Sequence, residues 1–489
     1  MLFTKYPKHC YKWLFCKGGK IPPLHGAVIS ENATFLRLLL DLALNTPTDV
    51  SLGLAPGGSR SAQRSHNFTK VKELILEMDP EGWTPLHIAA TIESADCLKI
   101  LLYQMGPLGP LSLAPDIDVP RGPSKESPLH RAAMDGRLEC VKLLLARGAS
   151  VRATDCNGAS AAHWAAWGGN TQLLKLIMDE CIREPGSSRL GDCHCPVDNW
   201  GTSPLHYAAR KGKTDAVRVL VDEYGAHPLE QDKEDETPIH VAALKGHPET
   251  LKALLSVFPS MQGYLDVSRQ SGHTPLMDAA AKDQPDCVGL LLAHGASPLV
   301  EKRPNLLGET KGMTAAHFAA AHSISSLKLI LDHTPLQLFD PPRKSTQTTL
   351  LATASEMGPV ECVTLLLERG ATPLRTFPRN GFACSALSAA VVANKGNVVR
   401  LLCEAAARER PDDWMEWLSQ NLHFDLVILA AGNDKAEALE ALMDSGFDMR
   451  TARKLAATMD MEAMTPFGIA SKEKKEKVLK LLKERGIMS

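Results

Sequence analysis

Asp192, Cys193, His194 and Cys195 stand consecutively, with Cys181 a short way upstream. Thiolate and imidazole are soft ligands suited to zinc, and a thiol in such company can also be reactive. The C-x-C spacing is not the two-residue spacing of zinc loops, and no second pair follows. The run therefore reads as an exposed loop, with a metal site and a thiol site as alternatives. A second set, His25, His87, His130, His163, His206, His240 and His317, could in principle move protons. Gly53 to Ser59 is glycine-rich but lacks the lysine that a phosphate-binding loop requires, and reads as linker. The serine elbow, the H-E-x-x-H helix and the kinase signatures are not recognisable. The expectation is a protein with no catalytic residue, no cofactor and no metal.

The histidines are explained by the elements that carry them. Thr84-Pro85-Leu86-His87-Ile88-Ala89-Ala90 returns as Ser127-Pro128-Leu129-His130-Arg131-Ala132-Ala133, then from Ser203 to Ala209 and from Thr237 to Ala243. Weaker copies start at Ser160, Thr274 and Thr314. A Ser or Thr followed by Pro starts a helix abruptly, since the hydroxyl caps the first turn and proline has φ already set. Paired alanines let antiparallel helices approach closely. Val141, Leu144 and Leu145 follow helical spacing on a second helix that Gly148 ends, as Gly295 and Gly370 end theirs. Cys97, Cys140, Cys287 and Cys362 share one register of that second helix and are expected to be buried, reduced thiols.

These blocks resemble the ankyrin-repeat family, whose pattern joins a T-P-L-H opening, an Ala-Ala pair, a glycine turn and a V-x-x-L-L-L helix. Gly136 to Ala149 reproduces the whole second half of it. Marked at the histidine position, repeats fall at His25, His87, His130, His163, His206, His240, Met277, His317, Ala352, Ser388, Ile428 and Gly468. The resemblance implies an all-α solenoid of about twelve stacked antiparallel helix pairs with hairpin or loop tips. Surplus length falls in proline- and glycine-rich insertions at 45–67, 106–125, 184–198, 303–312 and 340–348. Residues 1–20 form a basic, aromatic N-terminal segment, 20–345 the N-terminal and central repeats, and 346–489 divergent repeats with a cap. An imidazole recurring once per repeat is expected to bridge neighbouring loop backbones.

The resemblance also implies where a ligand would sit, on loop tips before the T-P-L-H block and on residues just after the Ala-Ala pair. Here those are Met134, Asp135, Trp167, Arg210, Lys211, Leu244 and Lys245, with tips at Asn199, Trp200, Thr202, Lys233, Glu234, Glu236 and His273. Tryptophan and arginine dominate binding hot spots, which singles out Trp167, Trp200 and Arg210. The implied function is a non-enzymatic scaffold or adaptor for protein segments, with a substrate-recruiting subunit of a ubiquitin ligase or other large complex as the alternative. Residues 1–20 hold five lysines, no acid and several aromatics, and read as a cover for the end of the stack, with a membrane-surface anchor as the alternative. Pro411 to Leu418 reads as a short helix whose tryptophans pack on the array.

The composition excludes other classes. With 54 basic and 56 acidic residues the chain lacks the basic excess of a nucleic-acid binder, so nucleic acid is not an expected partner. No apolar run is long enough for a membrane span and no secretory signal is visible, so a cytoplasmic or nuclear protein is expected. Other proteins, rather than small-molecule substrates, are the expected ligands.

Overall fold

A computed structural model describes residues 22–45, 71, 73–92, 95–105, 117–183, 197–257, 263–302, 312–339, 348–379, 382–422, 426–447, 470–471 and 475–485. The Cys193 to Cys195 run, the Gly53 to Ser59 stretch, the marker Gly468, residues 1–20 and most of each insertion lie outside them. The chain divides into two compact units, Met1–His227 and Pro228–Ser489.

Among the described residues of the first unit, where 71 and 73–76 are also helical, the helices alternate as inner and outer members of five pairs. They are α1 Pro23–Ile29 with α2 Ala33–Asn45, α3 Pro85–Thr91 with α4 Ala95–Met105, α5 Pro128–Met134 with α6 Leu138–Leu145, α7 Ala161–Gly168 with α8 Thr171–Arg183, and α9 Pro204–Lys211 with α10 Thr214–Arg218. A π-helical turn, Val219–Glu223, continues α10. Each inner helix packs on the next inner helix and each outer helix on the next outer one, giving two layers with one apolar seam.

The second unit repeats the plan. Its pairs are α11 Pro238–Lys245 and α12 Pro248–Leu255, α13 Pro275–Ala281 and α14 Pro285–Ala293, α15 Ala315–His322 and α16 Ile324–His333, and α17 Leu350–Glu356 and α18 Val360–Glu368. There follow a hairpin of β1 Thr376–Arg379 and β2 Phe382–Ser385, then α19 Ala386–Val392, α20 Gly396–Glu409, α21 Trp414–Asn421, α22 Leu426–Gly432, α23 Ala436–Asp444 and α24 Glu476–Glu484. The antiparallel hairpin, with Phe377 opposite Cys384, adds to the all-α expectation an element absent from the repeat pattern. Trp414 is buried against Phe447, ring centroids 5.4 Å apart, as expected of a tryptophan packing on the array.

The packing explains the recurring residues. Ala89, Ala90, Ala132, Ala133, Ala208, Ala209, Ala242 and Ala243 are all fully buried, where any larger group would force the helices apart. Gly168, inside α7, serves a similar end: a Cβ there would stand 2.7 Å from the Met134 carbonyl oxygen at the end of α5. Cys97, Cys140, Cys287 and Cys362 are buried free thiols. Burial pushes three of them up to about 11 and Cys287 up to about 12, which keeps them protonated and unreactive.

The histidines tie the inner layer together. Nε2 of His25, His87, His130 and His163 lies 2.8, 3.0, 3.1 and 3.0 Å from the carbonyl oxygens of Trp83, Glu126, Ala159 and Thr202. In the second unit His240 reaches the His273 carbonyl at 3.3 Å. Every acceptor is the residue just before the helix cap of the next repeat. A carbonyl only accepts, so Nε2 must carry the proton and donate. Nδ1 is then bare and accepts from the N–H of the capping residue, at 3.0 Å from Ser127 and 3.0 Å from Ser160. The hydroxyl of Ser127 also donates to Nδ1, at 2.8 Å.

Burial holds the rings of His87, His163, His240 and His317 at about 4, against an ordinary 6.5, because a charged imidazole would lose its water. The neutral form is the folded form, and the unfolded chain takes up more protons between these values. Stability is therefore fully present above pH 6.5 and is lost as the pH falls toward 4, by on the order of 2 kcal/mol per ring between pH 7 and pH 5. Denaturant midpoints measured across that range should fall steeply, and His163→Gln, which keeps a neutral group in the slot, should flatten the slope. A pH-independent midpoint would contradict the bridge. Gly168→Ala should destabilise the first unit by about 1–3 kcal/mol through overpacking, read as a lower denaturant midpoint for helix loss.

Candidate functional site

In the first unit the tips preceding α7 and α9 are each built around an aspartate. Asp155 Oδ1 accepts from the backbone N–H groups of Asn157 and Ala159 at 2.8 and 2.9 Å. Asp198 Oδ1 does the same for Trp200 and Thr202 at 2.9 and 2.8 Å. Gly158 and Gly201 complete these turns at φ +79° and +78°, a region open to glycine. Neighbouring tips are laced through their backbones, Cys156 N–H to the Ser124 carbonyl and Asn199 N–H to the Asn157 carbonyl, both at 2.9 Å.

The second oxygen of each aspartate reaches nine residues on, to the inner helix. Asp155 Oδ2 accepts from Trp164 Nε1–H at 3.1 Å, and Asp198 Oδ2 from the Tyr207 hydroxyl at 3.0 Å. Burial, reinforced by the Asp198 charge, pushes the Tyr207 phenol up, so it stays a donor. Both carboxylates are buried, whereas the rings they hold are half-buried. Trp164, Trp167 and Tyr207 form an edge-to-face cluster with centroids 6.0 to 6.1 Å apart. Lys211 Nζ lies 4.0 Å from the centre of the Trp167 ring, a cation over a π face. Arg210 is exposed beside it. Trp200 is 51% exposed and Val197 46% exposed at the neighbouring tip.

Of the residues singled out in the sequence, Trp167 and Lys211 meet directly, and the end of α5, with Met134 and Asp135, lies against α7 at Gly168. Asp135 is paired with Arg131 at 3.4 Å. Asn199 and Trp200 are exposed tip residues. Thr202 is not an exposed tip but 4% exposed, because its N–H binds Asp198 and its carbonyl binds His163.

The remaining residues belong to the second unit. Lys233, Glu234 and Lys245 are exposed, and Leu244 is half-buried. Glu236, read as a tip residue, is 8% exposed, its N–H bound to Asp232 and its carboxylate 3.8 Å from Arg269. His273, also read as a tip residue, gives its carbonyl to His240 and sets Nδ1 3.0 Å from the carboxylate of buried Asp278. Sequence reasoning missed Trp164, Tyr207 and the Arg269–Asp278 ion pair at 2.7 Å, all three carried by the same nine-residue offset from a tip residue.

His87, His130, His163 and His240 have both nitrogens directed at the fold's own backbone and hydroxyls, and among the described residues no cluster of His, Cys, Asp or Glu has a metal-holding arrangement. What the first unit offers is a half-exposed aromatic and cationic surface on rigid elements.

A model of three tandem ankyrin repeats matches residues 111–188, 129–232, 187–260 and 225–302, and a single-repeat model matches 81–109. The chain is 35% identical over 180 residues to the B-cell lymphoma 3 protein homolog of Mus musculus, covering 35% of this chain and 37% of that protein. It is 36% identical over 66 residues to Notch-regulated ankyrin repeat-containing protein A of Danio rerio, covering 14% and 59%. The chain thus spans less than two thirds of the length of either relative. Among solved structures, the human ASB11 ankyrin repeat domain aligns with a TM-score of 0.40 at 28% identity, over 51% of this chain and all of that one. Residues 81–302 carry the repeats of the ankyrin family, and the chain is an ankyrin-repeat protein.

Proposed function

We propose that this protein is a non-enzymatic adaptor that binds a segment of another protein on the aromatic and basic surface of its first unit. Ankyrin repeats mark a protein–protein interaction domain. The observation that carries the finer reading is the Trp164, Trp167 and Tyr207 cluster, whose rings are half-exposed although buried carboxylates fix two of them in place. A core would bury such rings, and an ordinary surface would not spend buried aspartates on orienting them. Pre-organised aromatics lose little entropy on binding and are typical hot spots. Met134, Asp135, Arg210 and Lys211 flank them, and Asn199 and Trp200 extend the surface along the tips. In the second unit, Leu244 and Lys245 occupy the register of Arg210 and Lys211, and with exposed Lys233 and Glu234 they form its contact surface.

The non-enzymatic reading is supported by the use of the repeat histidines as cap bridges and by the protonated state of the buried thiols. Those same thiols favour a reducing compartment, the cytoplasm or nucleus. No helix among the described residues is long and apolar enough to cross a membrane.

The test is quantitative affinity purification from cells, comparing the wild-type chain with Trp167→Ala, Lys211→Glu after both show the same helical content. Loss of a central aromatic anchor costs at least about 2 kcal/mol, roughly thirty-fold in Kd, so a specific set of partners should disappear. Retention of every partner would move the binding surface away from α7 and α9.

A further inference from the structure

The two-layer packing gives the later outer helices a stripe that the preceding repeat covers. In α4, which packs on α2, that stripe starts at Cys97 and continues at Ile100, 0% and 8% exposed. In α6 it starts at Cys140, whose Sγ lies 3.9 and 4.0 Å from the carbonyls of Ala89 and Ile92 in the preceding repeat. Aligning α2 on α4 places Leu36 on Leu98 and Leu40 on Leu102, all at 0–1% exposure, so the register is fixed by the shared core. Phe35 then falls on Cys97 and Leu38 on Ile100. Yet Phe35 is 46% exposed, Leu38 54%, and Leu42, one turn further on, 63%. The face that elsewhere receives a layer is apolar here too, and no layer among the described residues covers it.

We propose that this stripe is a docking face for residues 1–20 of the same chain. Among the described residues the covering layer belongs to the repeat that precedes in the chain, and residues 1–20 stand upstream of α1. They carry Leu2, Phe3, Tyr6, Tyr11, Trp13, Leu14 and Phe15, enough apolar surface for three exposed side chains. Their five lysines come with no acidic residue, whereas α2 and its approach expose the two acids Glu31 and Asp41 against the single cation Arg37. Reach is no obstacle: α2 is about 20 Å long, and twenty residues extend to about 66 Å. The segment thereby acts as the cap that a repeat array needs on its first layer. Its aromatic and basic side chains are committed to the array and are not free for a membrane surface.

Hydrogen exchange read by mass spectrometry on the full chain tests this, comparing wild type with Phe35→Asp, Leu38→Asp. Both substituted side chains are exposed, so unchanged exchange across 128–183 serves as the check that the unit remains folded. Peptides within residues 1–20 should be protected in the wild type and exchange at least ten-fold faster in the variant. Random-coil exchange of residues 1–20 in the wild type would overturn the proposal. So would equal protection in both proteins, or protection of α2 that depends on protein concentration, the signature of a second copy on the stripe. As a second measurement, Leu42→Cys should cross-link within one chain to native Cys16, and a product formed only between chains would also overturn it.

Discussion

A neutral imidazole buried at the first turn of an inner helix sets the spacing of everything around it. It has one proton, and the carbonyl of the next repeat claims it at Nε2. That leaves Nδ1 to accept from the capping residue of its own repeat, so a single ring satisfies groups on two successive layers that would otherwise be buried without partners. His87 shows the full circuit, with Thr84 Oγ1 2.8 Å from Nδ1 and the Glu126 carbonyl 3.0 Å from Nε2. The tip geometry follows from this bond, because the accepting carbonyl must sit at one place. The aspartate turns of Asp155 and Asp198 hold Ala159 and Thr202 there. The terminal repeat shows the dependence in reverse. Pro22 stands where the next nine repeats have Ser or Thr, and among the described residues His25 Nδ1 has no hydrogen-bond partner.

The helices were legible in the sequence because their signals are local: a hydroxyl cap, a proline, an alanine pair and a terminating glycine. Eleven of the twelve expected marker positions stand at the third residue of an inner helix, and the twelfth, Gly468, lies outside the described residues. The hairpin around Phe377 and Cys384 was not legible, since four-residue strands without alternation carry no periodic signal. Thr202 and Glu236 misled for a different reason. A polar residue at a tip looks solvent-facing in a sequence, but the residue before the cap turns its backbone inward, Thr202 to meet His163 and Glu236 to close its own turn with Asp232. Trp164 and Tyr207 were within reach, because both lie nine residues after an aspartate. That offset acquires meaning only once the tip is known to fold back over the helix that follows it.

The same offset shows how the array tolerates change without losing the contact between tip and helix. In the first unit a tip carboxylate accepts from Trp164 or Tyr207. In the second unit, at Arg269 and Asp278, the polarity is reversed, with the donor on the tip and the carboxylate on α13, 2.7 Å apart. Here Met277, fully buried, replaces the bridging histidine, so the layer loses its imidazole and gains an ion pair. A carboxylate buried as completely as Asp278 persists only when opposed by charge, and Arg269 and the His273 ring supply the bonds to its Oδ1. The fold therefore fixes where tip and helix must touch but not which chemistry makes the contact. That freedom allows one repeat to present oriented aromatic rings to solvent while another closes the same position with a buried salt bridge.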